Sequence, residues 1–251
     1  MGLYTGKEHD NENNYDYFGA RYYDSRIGRW GGVDPQTSKN PGWTPYRAFL
    51  DNPINILDPS GGFELSKEFM KKYPKLSYLV KYELPKLVEN KNVINALKEW
   101  TTLSQEQIIE DFSWGSGPKI NVKSLPGAWG SFNYQVDPNV INIKEILVSD
   151  LQNSEGDVEE VLNFFTGIVL MHEYTHYGTN KAGLVFFQID EKGNIIGREE
   201  EGLRFEETVY GSKIGGPDVA AKKMNESIKN KGISKTYPTD IEKTLDENRN
   251  K

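Results

Sequence analysis

The sequence predicts an α+β fold, on three observations. Residues 62–112 carry apolar residues at helical spacing, residues 119–146 carry short alternating runs of strand type, and residues 158–178 make one long apolar-rich helical stretch. Helical and strand periods that are segregated along a chain rather than alternating belong to the α+β class.

The opening segment, residues 1–61, has its own character. Tyr15, Tyr17, Phe18, Tyr22, Tyr23 and Trp30 stand among Gly, Asp and Asn, which is strand-and-turn chemistry. So short a piece cannot supply a partner surface for that many aromatics. The chain reads as the closing piece of a longer one. From Phe63 to about Asn90, Phe69, Tyr73, Leu76, Leu79 and Val80 recur at helical spacing, and Pro74 and Pro85 break the run into short helices. Val93, Ile94, Leu97 and Trp100 mark another helix, and Ser104 with Gln107 forms a capping box before Ile108, Ile109 and Phe112. These helices carry no chemical constellation and read as a cap or wall.

Gly115-Ser-Gly-Pro118 ends the helical run. Ile120 and Val122, then Phe132, Tyr134 and Val136, then Ile141 and Ile143 alternate with polar residues. The turns Leu125-Pro-Gly127 and Asp137-Pro-Asn139 lie between, so three antiparallel strands are expected. Asp157 and Glu160 form the expected capping box of the long helix, Val158–Gly178, which is striped with apolar residues. After it, Lys181–Gly197 reads as a hairpin turning at Glu191–Asn194. Arg198–Tyr210 reads as a helix closed by Gly211. Val219–Ile228 reads as an amphipathic helix, and Asp246–Lys251 as a frayed end.

The chemistry concentrates at the end of the long helix, in Met171-His172-Glu173-Tyr174-Thr175-His176. Positions i and i+4 share a helix face, so His172 and His176 can offer two imidazoles to one metal ion. Glu173 lies one residue round, within reach of a water on that ion. Two histidines, a carboxylate and an open fourth position make the catalytic zinc arrangement. Two of the chain's three histidines are here. The metzincin pattern, with a glycine at 179 and a third histidine at 182, is not met, because these positions are Thr179 and Ala182. A carboxylate is therefore expected as the third ligand. Glu206 is the first choice, Glu201 its rival, and Asp190 a weaker candidate near a hairpin tip. Glu199, Glu200 and Glu207 read as a solvated helix face alongside Arg198 and Arg204.

Composition narrows the function further. A net charge of −7 argues against nucleic acid or an anionic membrane as principal partner. With no cysteine, disulfides, thiolate metal sites and Cys nucleophiles are excluded. No apolar run approaches a membrane span. Met1-Gly2-Leu3-Tyr4 lacks the basic start and apolar core of a signal peptide.

Two resemblances add to this reading. Tyr17-Phe-Gly-Ala-Arg-Tyr-Tyr-Asp24, Gly28-Arg-Trp30, Asp34-Pro35, Asn52-Pro53 and Asp58-Pro-Ser-Gly61 closely resemble the Rhs-associated core that closes Rhs and YD-repeat proteins. That resemblance covers residues 1–61 and implies that residues 62–251 are a separate, variable toxin domain. In that family the repeats form a β-cocoon shell that the core plugs, and many members cleave themselves just after Asp-Pro-x-Gly-Leu. Here Gly62 replaces the Leu, so no catalytic role is assigned to Asp58. The order of helices, small sheet and His-Glu-x-x-His helix is similar to compact zincin-type metallopeptidases, in the glutamate-ligand (gluzincin-like) branch. It implies a bound Zn2+, Glu173 as general base, and an extended substrate paired to a strand among residues 119–146. Together the resemblances imply a secreted polymorphic toxin, delivered into a target cell in interbacterial competition. Its partners would be a protein or peptide substrate, a cognate immunity protein and the Rhs shell of the parent chain. A zinc amidase acting on cell-wall peptide and a non-catalytic zincin-fold interaction domain are the alternatives. An intact Glu173 counts against the second, because a binding module needs no general base between two ligands.

Overall fold

The computed structural model describes residues 8–10, 12, 14–17, 21–33, 44, 46, 56–57, 65–113, 117–189, 191, 195–198 and 200–249. The motifs Asp34-Pro35, Asn52-Pro53 and Asp58–Gly62, the boundary expected between residues 61 and 62, and the candidate Asp190 lie outside the described residues. The fold is mixed α+β, with small sheets and several helices. Two compact units divide the chain: Met1–Ser77 with Glu110–Gly117, and Tyr78–Ile109 with Pro118–Lys251.

In the first unit, β1 (Glu8–Asp10), β2 (Tyr15–Tyr17), β3 (Tyr22–Asp24) and β4 (Arg29–Trp30) form an antiparallel meander in chain order. Tyr23 and Trp30 are buried edge-to-face with ring centroids 5.5 Å apart, and the Arg21 guanidinium lies 4.4 Å over the indole. Asp24 fixes the β3–β4 turn by accepting from Arg26 Nε and Nη2 at 2.8 and 2.7 Å. β5 (Ile56–Leu57) pairs antiparallel with β6 (Leu65–Ser66), and α1 (Lys67–Lys72) and α2 (Pro74–Tyr78) follow.

A π-helical turn, Leu79–Glu83, separates α2 from α3 (Leu84–Leu87). Pro85 accounts for it. Proline has no N–H to return to Lys81, and its ring crowds that carbonyl, so the preceding turn widens and Leu84 N–H reaches back five residues to Leu79 O. α4 (Lys91–Thr101) begins at Asn90, whose side chain accepts from Asn92 N–H at 2.9 Å. α5 (Gln105–Phe112) begins at the expected Ser104, whose Oγ accepts from Gln107 N–H at 3.2 Å.

The three-stranded sheet is mixed rather than antiparallel. Its order is β7 (Lys119–Lys123), β9 (Val140–Lys144), β8 (Gly130–Phe132); β7 pairs parallel to β9, and β8 antiparallel to it. Both expected turns reverse the chain, so the first and third strands point the same way. Burial then decides the order: Ile141 and Ile143 are 2% and 0% exposed, so β9 takes the centre. β8 is left as an edge strand.

α6 (Glu145–Asn153) leads into α7 (Gly156–Lys181), the 26-residue helix that the second unit surrounds. The expected apolar stripe is in fact a helix buried on nearly every side: Leu162, Phe165, Ile168, Leu170, Met171, Tyr174 and Tyr177 are all buried. α4, α6, β8, β9, α8 (Glu201–Tyr210) and α9 (Pro217–Asn230) pack around it. The expected capping box does not form. The helix starts at Gly156 with Glu155 as N-cap and no side-chain cap bond. Glu160 is drawn away, accepting from Tyr237 Oη at 2.5 Å and Lys235 Nζ at 2.8 Å. β10 (Phe187–Ile189) and β11 (Ile195–Arg198) pair as the expected hairpin.

The C-terminus is docked through residue 249 rather than frayed. α10 (Ile241–Arg249) buries Ile241 and Leu245, and Arg249 spans Asp150 of α6 with Nε at 3.0 Å and Nη2 on the second oxygen. Asp150 is only 8% exposed, so losing the guanidinium strands a buried carboxylate. Arg249→Ala is expected to cost about 1–3 kcal/mol, read as a lower urea midpoint; Lys243→Ala, on the exposed face of α10, should leave that midpoint unchanged.

Candidate metal centre

Two helices build the site. On α7, His172 and His176 fall on one face, with ring centroids 5.2 Å apart. The Nε2 atoms of both point at one oxygen: Glu200 Oε1 lies 3.1 Å from His172 Nε2 and 2.7 Å from His176 Nε2. One ligand atom from each of these three residues lies within 4.8 Å of the other two. Glu200 is not on a solvated helix face, as its sequence neighbourhood suggests. It is the N-cap of α8, and its other oxygen accepts from Leu203 N–H at 2.5 Å.

The far nitrogen of each imidazole is held by another carboxylate of α8. Glu206 Oε1 lies 2.6 Å from His172 Nδ1, and Glu201 Oε2 lies 3.1 Å from His176 Nδ1. Both glutamates are buried. Glu206 also takes Ile214 N–H on its second oxygen at 2.6 Å, which ties the chain beyond α8 to the site. The structure thus brings together His172, Glu173, His176, Glu201 and Glu206 from the sequence reading, and adds Glu200. Glu206 and Glu201, the first two candidates for the third ligand, sit on the Nδ1 side of the histidines. The missed residue sits on the Nε2 side.

α8 can lie this close because residue 202 has no side chain. A Cβ there would stand 2.4–2.6 Å from three atoms of the His172 ring. Gly130 at the start of β8 plays the matching part for the general-base candidate. A Cβ there would meet Glu173 Cγ and Oε1 at 2.7 Å and Val169 at 2.9 Å. Glu173 is 7% exposed and faces β8, where the Phe132 N–H bonds to it.

The electrostatics follow from this packing. Burial pushes His172 down, but hydrogen bonds to Glu200 and Glu206 outweigh it and bring its pKa up to about 10. His176 reaches about 9 in the same way, through Glu200 and Glu201. Burial works to raise Glu200, yet the two imidazoles hold it well below the usual carboxylate range. Burial raises Glu173, against the pull of both histidines. A carboxylate between two imidazoles, each backed by a further carboxylate, is a donor set suited to a divalent cation.

The site forms the floor of a cleft of about 520 Å3. Trp129, Gly130, Ser131 and Phe132 line one wall, and Leu203, Lys213, Ile214 and Gly215 the other. The Trp129 indole N–H donates to Gly215 C=O at 3.0 Å and ties the two walls together. Tyr177 and Tyr210 are absent from the lining. They pack instead on Phe132 and on Phe164 with Phe205.

A family model described as metallopeptidase toxin 3 matches residues 69–211, which hold every residue of the site. The chain belongs to the metallopeptidase toxin 3 family. Membership accounts for the donor set, since a metallopeptidase requires a metal ion, and it makes the domain a hydrolase and a toxin. The toxin subunit YenC2 of Yersinia entomophaga is 41% identical over 58 residues, which is 23% of this chain and 6% of that protein. The chain therefore spans a small fraction of the length of that relative. No solved structure matches significantly. Among the described residues, no helix is long and apolar enough to cross a membrane.

Gly202→Ala should displace the His172 ring. Bound metal per chain, measured by plasma mass spectrometry, should fall while the far-ultraviolet dichroism stays unchanged. Gly130→Ala should keep the metal and lower activity, because its added methyl meets Glu173 instead.

Proposed function

We propose that this chain is the toxin end of an Rhs protein, and that residues 62–251 are a zincin-like zinc peptidase cutting a protein of the cell it enters. The observation that carries the reading is the convergence of His172 Nε2, His176 Nε2 and Glu200 Oε1, with both Nδ1 atoms held by carboxylates. Glu200 takes the ligand position expected of Glu206, and Glu206 and Glu201 orient the histidines. Zn2+ suits two imidazoles and one carboxylate with an open position. When bound it would polarise the scissile carbonyl and lower the pKa of water.

The remaining steps belong to side chains of this protein. Glu173, buried beside the histidines and aligned by Phe132 N–H, accepts the proton of the attacking water. It then returns that proton to the leaving amine nitrogen. β8 is an edge strand that lines the cleft, so main-chain groups on its outer edge other than the Phe132 N–H can bond to an extended peptide.

The setting rests on the Rhs-like motifs of residues 1–61, the family's description as a toxin, and the likeness to a toxin subunit. It carries a delivery system into the target cell, a cognate immunity protein in the producer, and an Rhs shell from the parent chain.

Glu173→Gln is expected to abolish toxicity in a susceptible cell and to lower peptide hydrolysis about 10²–10⁴-fold, with metal content intact. Glu200→Ala should lose the metal outright, whereas Glu206→Ala should weaken its affinity about 10–100-fold. Full activity in Glu173→Gln would sink the peptidase reading, and full metal content in Glu200→Ala would sink the ligand set.

A further inference from the structure

We propose that Lys213 is a specificity-determining residue that selects an acidic side chain, Asp or Glu, close to the bond to be cut; this rests on the peptidase reading above. Apart from the two histidines of the site, Lys213 is the one basic side chain lining the cleft among the described residues. Three other cations near the cleft, none of them in its lining, have contacts of their own. Lys144 lies over the Trp129 ring at 4.7 Å, Lys181 lies over Tyr177 at 5.5 Å, and Arg204 pairs with Glu207 at 2.8 Å. Away from the histidines, an anionic group entering the cleft therefore meets one lysine, on a backbone segment whose place is set.

That place is fixed by the backbone on both sides. Gly211 closes α8 in the left-handed conformation at φ +75°, with its N–H on Glu207 O at 2.9 Å. Ile214, one residue after Lys213, is 4% exposed and donates its N–H to Glu206 at 2.6 Å. Gly215 accepts from the Trp129 indole at 3.0 Å, and Pro217 opens α9. The lysine stem thus rises from an anchored base in the cleft lining, so little backbone ordering remains when a substrate arrives. The cleft also presents Glu173, Glu200 and Glu206, the last two paired with the histidines, and these carboxylates disfavour an acidic substrate unless a cation offsets them. A lysine at the wall reverses that preference locally, and charge complementarity of this kind sets specificity.

The test maps cut sites by mass spectrometry on a pool of random peptides, with the metal-loaded parent, Lys213→Ala and Lys213→Glu. The parent should show Asp or Glu enriched at one position relative to the cut bond. Lys213→Ala should flatten that enrichment. Lys213→Glu should move it to Lys or Arg, with kcat/KM on acidic peptides falling about tenfold or more. The same profile in all three proteins would overturn the inference, as would a kcat loss shared by every peptide with KM unchanged. If the parent cuts nothing, the peptidase reading fails, and binding still decides the role of Lys213. A fluorescent acidic nonapeptide should bind the metal-loaded parent more tightly than its basic counterpart, and Lys213→Glu should invert the order. Equal binding of both peptides by the parent would overturn it.

Discussion

The close approach of α8 to α7 at Gly202 is the contact on which the rest of the site depends. With no Cβ at residue 202, the His172 ring can occupy space that a side chain would fill. Three glutamates of the Glu200–Glu206 stretch then reach the two histidines together. The pairs run in opposite order, Glu201 with His176 and Glu206 with His172, so the two helices lie antiparallel. One element thereby supplies the carboxylate on the Nε2 side and both carboxylates on the Nδ1 side. A single backbone clearance sets the geometry of all three.

The burial of α7 makes that geometry rigid. Its floor is the core itself, with Leu170, Met171, Tyr174 and Tyr177 all buried around the motif. The helix cannot rotate His172 away without breaking contacts on several sides at once. β8 fixes the remaining degree of freedom, since Gly130 admits the Glu173 side chain and Phe132 N–H aligns it. Glu201 and Glu206 are buried, so their bonds to the Nδ1 atoms gain strength from the low local dielectric, while Glu200 on the Nε2 side stays open to the cleft.

Much of this was legible in the sequence, and what was not has physical reasons. The long helix, its two histidines on one face and the glutamate between them follow from the 3.6-residue period. The helix carrying Glu201 and Glu206 and its Gly211 cap were equally plain, though the helix starts at Glu201, and Arg198, expected within it, belongs to β11. Glu200 escaped because an N-cap residue lies outside the helical wheel: at φ −101° and ψ 89° its side chain projects where no helical spacing puts it. The sheet order escaped because turn signals fix reversals but do not say which strand takes the centre; the burial of Ile141 and Ile143 decides that. Glu160 at the start of α7 was drawn from its expected cap by Lys235 and Tyr237, some 75 residues away in the chain. No local pattern announces such a partner.

The central claim is that Glu200 completes the donor set while Glu201 and Glu206 stand behind the histidines. A crystal structure of the zinc-loaded chain, with anomalous data at the zinc edge, tests it most directly. The account predicts an anomalous peak bonded to His172 Nε2, His176 Nε2 and a Glu200 oxygen, with Glu206 and Glu201 still hydrogen-bonded to the Nδ1 atoms. A peak bonded to Glu206 or Glu201 in place of Glu200, or bonded through Nδ1, would contradict it.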